Sequence, residues 1–441
     1  MDSSDAVIAR FLALHPRAVD LSLGRIERLL AALGNPHKRL PPTIHVAGTN
    51  GKGSTIATMR AILEAAGVSV HVYTSPHLVR FHERIRLGRP EGGRYVDEER
   101  LLNALRRCEA VNSGEQITVF EITTATALLL FAEEPADVLL LEVGLGGRYD
   151  ATNVIDDPIA AVVTPIGLDH AEFLGTDLVG IAREKAGIFK KNCPAIIAPQ
   201  YYPEADHELC RVAEEVGASP IYVGGQDFSV HEEAGRLVYQ DEHGLLDLPR
   251  PKLAGRHQFI NAGTAIAALR ATKFGTFEHL AFERGLARAE WPGRLQRLNR
   301  GHLKTLIPEG SELWLDGGHN LDGGRVLSQA MADLEERNSA PLVLVCGMLG
   351  TKDSEGFLRH FVGLSRDLVA VPMPSQMAAR SAEEIASIAA HIGFSSSSSA
   401  SVEAALASLR NFAWEKPPRI LICGSLYLAG EVLAANGTPP Q

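Results

Sequence analysis

The sequence at residues 44–54 reads IHVAGTNGKGS. An apolar strand runs into a glycine-rich turn, and a helix is predicted to follow over 55–66. The backbone N–H groups of such a turn, at the N-terminus of a helix, form a concave site for phosphate oxygens. Lys52 supplies a positive charge for the outer phosphates, and the Ser54 hydroxyl can reach Mg²⁺. Gly53 separates the two, so the spacing differs from the G-x-x-x-x-G-K-[ST] loop. The stretch therefore favours a nucleotide-binding turn over a plain one.

Length and composition are typical of a globular enzyme. The 441 residues are too many for one core and predict two or three domains. The formal net charge of −10 and the absence of a dense Lys/Arg face argue against a nucleic-acid partner. The five cysteines are scattered without C-x-x-C spacing, which suits a reducing compartment. With no signal sequence and no apolar run of membrane-spanning length, we expect a cytoplasmic, water-soluble monomer with no membrane partner.

Strand-like apolar runs alternate with helix-like segments, as in parallel sheets covered on both faces. The strands predicted after the phosphate turn are 69–74, 136–143, 159–164 and 194–198. The predicted helices are 97–111, 119–133, 177–190 with Thr176 as a candidate cap, and 257–272. Short β pieces are expected over 220–250.

A second doubly wound unit is predicted to begin near Pro292-Gly293-Arg294. Its predicted strands are 313–316, 341–347, 367–372 and 419–423. Its predicted helices are 323–337, 354–365, 382–392 and 402–413. The serine run Ser395–Ser399 is predicted to be a surface loop without chemistry.

Candidate site residues follow the predicted strands, where ligands collect in open α/β sheets. Glu142 ends the apolar run ADVLLLEV, and a carboxylate there is costly to bury unless it meets a cation. That cation is Mg²⁺ or, alternatively, Arg148. Ser75 ends its own strand and offers a hydroxyl, and His170 follows the strand 159–164.

Two further groups remain open between a structural and a functional interpretation. Lys185 lies on a predicted helix, where the default is a solvated head group or an ion pair one turn away. In the second unit, the residues 316–320 read DGGHN directly after a strand. Turn chemistry alone explains the Asp, Gly and Asn, whereas the histidine at a strand's carboxyl end favours a site.

Taken in order, these motifs resemble the folate-adding ligases, dihydrofolate synthase/folylpolyglutamate synthase, within the Mur-type ATP-dependent amide ligases. The resemblance covers nearly the whole chain. The matching stretches are HVAGTNGKGS (45–54), YTSPHL (73–78), VFEITT (119–124), LEVGLGGRYDATN (141–153), GLDHAEFLG (167–175), REKAGI (183–188), GRHQFINA (255–262), PGR (292–294), LDGGHN (315–320) and CGSLYLAGEV (423–432).

The resemblance implies a set of site residues. It assigns ATP contacts to Gly48, Asn50, Gly51, Lys52, Gly53, Ser54, Asn261, Arg294 and Asp316, the last two from the second domain. It assigns magnesium ligands, at two sites, to Ser54, Ser75, Glu142, His170 and Lys185, with Lys185 modified to a carbamate. It assigns pterin or folate contacts to Asp20, Leu21, Ser22, Thr118, Val119, Phe120 and Glu121. It assigns catalytic roles to Lys52, Lys185 and His319, with His319 near the incoming glutamate.

The resemblance also implies a fold and a reaction. The fold is α/β, with a P-loop-type doubly wound ATPase domain that also binds folate (1–292) and a smaller Rossmann-like domain on the glutamate side (293–441). The reaction is ATP-driven amide formation between dihydropteroate, a folate, or both, and L-glutamate, through an acyl phosphate. Phe120-Glu121 resembles forms that accept dihydropteroate.

The sequence departs from the family pattern Asp-x-Ala-His-Asn-Pro at Gly318 and Leu321, which predicts a looser loop. The segment Met377–Ile385 has no clear match, so the glutamate pocket is not defined. Three alternatives stay open: a Mur ligase acting on a cell-wall precursor, an ATP-binding regulatory protein, and a kinase. The first is disfavoured because only about 47 residues precede the phosphate turn.

Overall fold

The computed structural model describes residues 3–15, 19–272 and 277–441. They group into two compact units. The first comprises residues up to 252 together with 259–290 and Gln441, and the second comprises 253–258 together with 291–440. The functional roles expected for 1–292 and 293–441 stay predictions.

A central eight-stranded sheet organises the first unit. Its strands are β1 (Thr43–Ala47), β2 (Val70–Tyr73), β3 (Ile85–Leu87), β4 (Arg94–Tyr95), β5 (Val138–Glu142), β6 (Ala160–Val163), β7 (Ala195–Ile197) and β8 (Ile221–Val223). The spatial order is β4-β3-β2-β5-β1-β6-β7-β8, which places β1 in the middle. The strands from β2 to β8 in this order are parallel, and β3 and β4 extend one edge in antiparallel fashion.

The remaining strands of this unit form a separate antiparallel sheet in the region 220–250, where short β pieces were expected. They are β9 (Ser229–Glu233), β10 (Arg236–Asp241) and β11 (Gly244–Leu248), with β10 in the centre.

The helices up to residue 290 include those predicted between the strands. They are α1 (Ser4–Phe11), α2 (Gly24–Ala32), α3 (Lys52–Ala65), α4 (Glu98–Asn112), α5 (Val119–Glu133), α6 (Ala171–Leu174), α7 (Leu178–Lys185), α8 (Pro203–Val216), α9 (His257–Arg270) and α10 (His279–Arg288). Short 3₁₀ helices occur at Pro36–Arg39, Phe81–Arg84 and Ala186–Ile188.

The prediction of one helix over 177–190 was wrong at both ends. The N-cap is Asp177 rather than Thr176, because the Asp177 carboxylate accepts the amides of Val179 and Gly180. The α-helix ends at Lys185 because the carbonyl of Glu184 accepts the amide of Arg148 (2.9 Å) instead of continuing the helical ladder. A tertiary contact from a distant loop therefore sets the position of Lys185.

Both faces of the central sheet are covered, which confirms the doubly wound architecture. Side chains alternate along each strand. On β5, Leu139 and Leu141 join an apolar cluster with α1, α2, α4 and α5. Val138 and Leu140 join a second cluster with α3, α9 and α10. Each leucine buried in this way stabilises the fold by about 1.5–3 kcal/mol, so the central strands are firmly anchored.

The second unit is built on a six-stranded sheet. Its strands are β12 (Gln296–Arg297), β13 (Glu312–Leu315), β14 (Leu342–Cys346), β15 (Ser365–Ala370), β16 (Ser395–Ser398) and β17 (Arg419–Cys423). Their order is β12-β13-β17-β14-β15-β16, parallel except for β12. The helices are α11 (Leu321–Arg337), α12 (Ser354–Arg359), α13 (Ala382–His391), α14 (Val402–Ser408) and α15 (Leu426–Ala435), with short 3₁₀ turns at Leu303–Thr305 and Leu409–Asn411.

Three predictions for the second unit needed correction. The serine run is not a loop, because Ser395–Ser398 form β16, which pairs with β15 at the edge of the sheet. The strand is formed by backbone hydrogen bonds to β15, and its serines give no apolar pattern by which to predict it. The helix predicted over 354–365 ends at Arg359, because Ser365 already begins β15. The helix predicted over 402–413 ends at Ser408 and continues only as a 3₁₀ turn.

Candidate active site

The phosphate turn and Glu142 follow or end neighbouring strands at the same edge of the sheet. Val46 of β1 lies in register with Glu142 of β5, and Tyr73 of β2 lies in register with Leu141 of β5. Because these strands are parallel, the segments that follow them emerge at the same edge. The carboxylate of Glu142 accepts the backbone amide of Ser75 at 3.2 Å, which joins the loop after β2 to the end of β5.

The phosphate turn requires glycine at two positions. Gly48 has φ +143°, and a Cβ there would lie 1.9 Å from the Thr164 hydroxyl oxygen. Gly51 has φ +91° and immediately precedes α3, and a Cβ there would lie 2.4 Å from Oδ1 of Asn261 on α9. The structure therefore brings Asn261 against the turn. Backbone amides at the N-terminus of a helix such as α3 suit an anion.

Two lysine side chains converge on one carbonyl of this turn. Nζ of Lys52 donates to the Gly48 carbonyl at 2.9 Å, and Nζ of Lys185 donates to the same oxygen at 3.0 Å. Burial, and then the charge of Lys52, lower the pKa of Lys185 to about 7. Helical position suggested a solvated head group or an ion pair for Lys185, whereas the family resemblance assigned it to the site. The structure buries Lys185 beside the phosphate turn, and much of its amine is neutral near neutral pH.

Three of the predicted magnesium ligands, Glu142, Ser54 and Ser75, fit that ion in their chemistry. Glu142 is buried, Ser54 is buried at the start of α3, and Ser75 is half-buried. Carboxylate and hydroxyl oxygens are the hard ligands that Mg²⁺ prefers. Within residues 3–15, 19–272 and 277–441, no group of three or more His, Cys, Asp and Glu side chains is arranged so that it could hold a metal ion.

His170 lies on the loop that follows β6, and this loop is tied to the phosphate turn. The amides of Thr49 and Asn50 donate to the Pro165 carbonyl at 3.1 and 3.2 Å, and the Thr49 hydroxyl bonds Gly167. The His170 side chain is 44% exposed, and its Nε2 lies 3.9 Å from a carboxylate oxygen of Asp169. The loop that carries His170 therefore lies at the same edge of the sheet as the phosphate turn.

The loop after Glu142 is supported by a buried polar chain that the sequence motif did not explain. The carboxylate of Asp150 accepts the Leu145 amide at 2.8 Å and the Thr152 hydroxyl at 2.5 Å. The Thr152 oxygen in turn accepts Nε2–H of His45, at 2.9 Å. Burial lowers the pKa of His45 to about 3, so this imidazole is neutral. The chain links β1 to the loop behind Glu142.

The segment predicted to bind the pterin reaches the same loop. Thr118 caps α5, and its amide and hydroxyl both donate to a carboxylate oxygen of Glu121, at 2.7 and 2.9 Å. A Cβ on Gly144 would lie 2.3 Å from the Phe120 ring, so only glycine allows this ring to rest on the loop after Glu142. Phe120 therefore packs against a glycine two positions along the chain from the candidate metal ligand.

Arg25 was missed by sequence reasoning. Its guanidinium bonds the carboxylates of Asp20 (2.8 Å) and Glu121 (3.0 Å), and so joins the two stretches predicted to bind the pterin. A single arginine on a short helix gives no sequence signal, because its partners are 5 and 96 positions away.

In the second unit, Asp316 organises the predicted nucleotide loop. Its carboxylate accepts the amides of Leu295 (2.7 Å) and Gly318 (2.6 Å). Burial raises the pKa of Asp316, and the nearby charge of Arg294 opposes that rise. Leu295 has φ +40°, an uncommon backbone conformation for a branched residue. The carboxylate thus holds a strained turn directly beside Arg294.

The loop 317–320 is held by hydrogen bonds despite its departures from the family pattern. The Gly318 carbonyl accepts the Gly424 amide at 3.0 Å, and His319 donates from Nδ1 to the Gly317 carbonyl at 2.8 Å. Asn320 caps α11 through the Gly323 amide, and Leu321 takes the first helical position where the family has proline. A Cβ on Gly318 would lie 2.7 Å from the end of the Leu327 side chain, which would have to shift to accept it.

The chain matches two family models. The Mur ligase middle domain matches residues 46–269, and the dihydrofolate synthetase C-terminal domain matches residues 299–435. The dihydrofolate synthase/folylpolyglutamate synthase of Escherichia coli strain K12 is 36% identical over 421 residues, covering 95% of this chain and 92% of that protein.

Solved structures resemble the chain over nearly its full length. The Escherichia coli enzyme FolC in complex with DHPP and ADP superposes with a TM-score of 0.86 at 34% identity, covering 98% of this chain and 97% of the other. A bifunctional folylpolyglutamate synthase/dihydrofolate synthase with Mn, AMPPNP and L-glutamate bound gives a TM-score of 0.84 at 32% identity, covering 98% of both chains.

The fold and the phosphate turn, together with these matches, define a Mur-type ATP-dependent ligase. Within that class, the chain belongs to the dihydrofolate synthase/folylpolyglutamate synthase family, whose reaction is ATP-dependent ligation of glutamate in folate metabolism. The resemblance inferred from the sequence is confirmed, and the cell-wall ligase is not favoured. In the part of the chain that the structure describes, no helix has both the length and the apolar character needed to span a membrane.

Proposed function

We propose that this chain joins L-glutamate to dihydropteroate, to folyl-glutamates, or to both, using ATP and a divalent metal ion. The observation that carries the proposal is the group at one sheet edge: a phosphate turn contacted by two lysines, the buried Glu142 beside it, and Phe120 against the next loop. Relatives of this fold have been solved with ADP, with AMPPNP and Mn, and with L-glutamate, which supports the same ligands here.

The chemistry proceeds by activation of a carboxylate. An oxygen of the acceptor's carboxylate bonds the γ-phosphorus of ATP, the bond to ADP breaks, and an acyl phosphate forms. The amine of glutamate then bonds the acyl carbon, loses a proton, and displaces phosphate. Phosphoryl transfer of this kind depends mainly on positioning and on charge neutralisation. We assign those tasks to Lys52, to the amides of residues 48–54, and to Arg294 and Asp316 of the second unit.

Magnesium would be held by Ser54, Ser75, Glu142 and His170, and it would neutralise charge on the phosphates when bound. The buried Glu142 carboxylate and the Ser54 hydroxyl supply oxygen ligands of the required hardness. Asn261 supports the turn at Gly51. His319, whose Nδ1 donates to the Gly317 carbonyl, is assigned to the side of the incoming glutamate.

Lys185 is proposed to carry a carbamate, which would make it a further metal ligand. Its amine is buried against the Gly48 carbonyl and beside Lys52, so a positive charge is disfavoured there. Only a neutral amine reacts with CO₂, and an ordinary lysine is neutral in roughly one molecule per thousand at neutral pH. A carbamate would give Lys185 a negative charge, so that Lys52 would lie beside an anion instead of a second cation.

Intact mass measured in bicarbonate buffer tests the carbamate. We expect the wild-type chain to carry an added mass equal to one CO₂ and Lys185→Ala to lack it. Lys191→Ala is the control and should keep the added mass, because the side chain of Lys191 is exposed. We also expect a short carboxylic acid to restore part of the activity of Lys185→Ala. A bare amine in a fully active enzyme would contradict the modification.

An assay of ADP release tests the function itself. With L-glutamate and ATP, we expect release with dihydropteroate, with tetrahydrofolate, or with both, and a new amide in the product. Glu142→Ala should abolish this release, because the metal site loses its only buried carboxylate among the proposed ligands. Near-normal turnover of that variant would disprove the role of Glu142. ADP release without an amide product would indicate a kinase instead.

We further propose that residues 1–292 bind ATP and the folate. Residues 293–441 are proposed to lie on the glutamate side and to make further nucleotide contacts. We likewise expect a monomer in the cytoplasm that has no nucleic-acid or membrane partner.

A further inference from the structure

Arg25 is a cation shared between two carboxylates that come from separate parts of the chain. From α2, its guanidinium donates through Nε to Glu121 (3.0 Å) and through NH1 to Asp20 (2.8 Å). A third donor, NH2, bonds the Asp20 carbonyl oxygen at 2.7 Å and lies 3.0 Å from the second carboxylate oxygen of Glu121. The planar fork of arginine suits this task, because a lysine ammonium cannot span several fixed acceptors.

Each of the two carboxylates that Arg25 contacts also has a second neighbour. One oxygen of Glu121 also accepts the amide and hydroxyl of Thr118, so this side chain holds the start of α5. Its side chain is 4% exposed, and a charge so buried needs its partner. Asp20 has a second neighbour, His15, whose Nε2 lies 3.4 Å from the same carboxylate oxygen that Arg25 bonds.

The stretch of residues 19–23 forms no helix or strand. Its backbone at Asp20 is instead bound by Arg25 through the carbonyl oxygen. Arg25 thereby links this irregular stretch to the turn 118–121, whose Phe120 packs on Gly144. The ion pairs with Glu121 and Asp20 outweigh the effect of burial, and the pKa of Arg25 is raised.

We propose that Arg25 is a positioning residue that sets the affinity for the pterin-bearing acceptor by holding residues 19–23 against the start of α5. The inference rests on the proposed function, since the acceptor site is part of it. Arg25 acts through Asp20 and Glu121, so it affects acceptor binding and not the chemistry at the phosphate turn. Its removal leaves two carboxylates without their shared cation, and these then repel each other.

Steady-state kinetics on the full chain test the inference. For Arg25→Gln we expect the KM for dihydropteroate, or for tetrahydrofolate if that is the acceptor used, to rise at least about tenfold. The KM for ATP should stay within about twofold. Arg25→Lys should give an intermediate rise, because charge without the fork restores only part of the network. In Arg25→Gln, adding Asp20→Asn should cause much less further loss than Asp20→Asn causes alone.

Arg28→Gln is the matched control, because Arg28 lies on the same helix but bonds Asn112 and the Gln116 carbonyl, and we expect its acceptor KM to be unchanged. If Arg25→Gln fails to fold, judged by melting and by ATP binding, Arg25→Lys decides the question. An unchanged acceptor KM in the folded Arg25 variants, or an equal rise in the KM values for acceptor and ATP, would overturn the inference. If the wild-type chain releases no ADP with either acceptor, the proposed function has failed instead.

Discussion

Lys185 and Glu142 are ionisable side chains that the fold buries at the edge of the central sheet. Burying a charge is costly, and a fold retains such groups where they meet a ligand or a partner. For Glu142 the sequence was informative, since a carboxylate at the end of an apolar strand is buried at a high cost unless a cation lies beside it. For Lys185 the helical pattern pointed to solvent, and only the tertiary structure places its amine on the Gly48 carbonyl.

A single added Cβ atom at Gly51 tests whether the phosphate turn requires glycine at this position. Gly51 and Gly67 flank α3, with φ +91° and +81°, but only at Gly51 would a Cβ meet a neighbour, Asn261. Gly67→Ala should therefore cost about 1 kcal/mol of backbone strain and leave nucleotide affinity intact. Gly51→Ala should destabilise by roughly 1–3 kcal/mol more, because of the overlap, and lose nucleotide affinity. Urea unfolding and nucleotide titration measure both effects, and equal behaviour of the two variants would refute the role of Gly51.

At the scale of elements, α7 carries Lys185 and is tied to α8 by ions rather than by apolar contacts alone. Glu208 of α8 accepts Nε of Arg183 at 2.6 Å and of Arg211 at 2.8 Å. The hydrogen bond from Arg211, together with that from Arg183, lowers the pKa of Glu208 to about 2. The helix α7, which carries Lys185, is thus held to α8 by the ion pair between Arg183 and Glu208.

Glu208→Gln gives a prediction with a defined pH dependence. The pKa of Glu208 is lowered on folding, so its stabilisation is present above pH 4.5 and is lost as pH falls from 4.5 towards 2. The loss at pH 7 should be about 1 kcal/mol, because both arginines are half exposed and water screens them. Urea unfolding at pH 7 and at lower pH should show the difference from wild type shrinking. Glu215→Gln, at an exposed partner of Arg211, should change little, and a pH-independent loss at Glu208 would contradict the argument.

At the scale of the whole molecule, the tryptophans provide a reporter for one unit. All three, Trp291, Trp314 and Trp414, belong to the second unit, so their fluorescence follows that unit alone. The family resemblance assigns nucleotide contacts to both units. We therefore expect ATP with Mg²⁺ to raise the tryptophan-monitored midpoint as well as the midpoint followed by circular dichroism. At about one hundred times Kd, the added stability is roughly 2.7 kcal/mol.

Arg294→Ala should remove the tryptophan-monitored shift, because the second unit then loses its proposed cation for the nucleotide. Arg300→Ala, at an exposed arginine of the same unit, should keep it. Lys52→Met should reduce the shifts seen by both methods. A tryptophan signal indifferent to ATP in the wild-type chain would limit nucleotide binding to the first unit.

Elements that form through interactions between neighbouring residues could be predicted from the order of amino acids. Central strands such as β5 were predictable because they are almost wholly apolar, and the glycine-rich turn because its geometry and its lysine are written in consecutive residues. The family also followed from the sequence, since many short motifs occur in order along one chain. The comparisons confirmed that assignment. Edge strand β16 could not be predicted, because four serines carry no apolar pattern and the strand forms by pairing with β15.

Contacts between residues far apart in the chain became known only from the three-dimensional packing. The end of α7, and with it the position of Lys185, depends on a hydrogen bond from Arg148 of another loop. The bridge from Arg25 to Glu121 spans 96 positions, and the contact of Gly144 with Phe120 joins a strand end to a helix start. Hydrogen bonds, ion pairs and close contacts of this kind act through space within a few ångströms. They are fixed by the packing of the sheet and its helices, and no local pattern of residues encodes them.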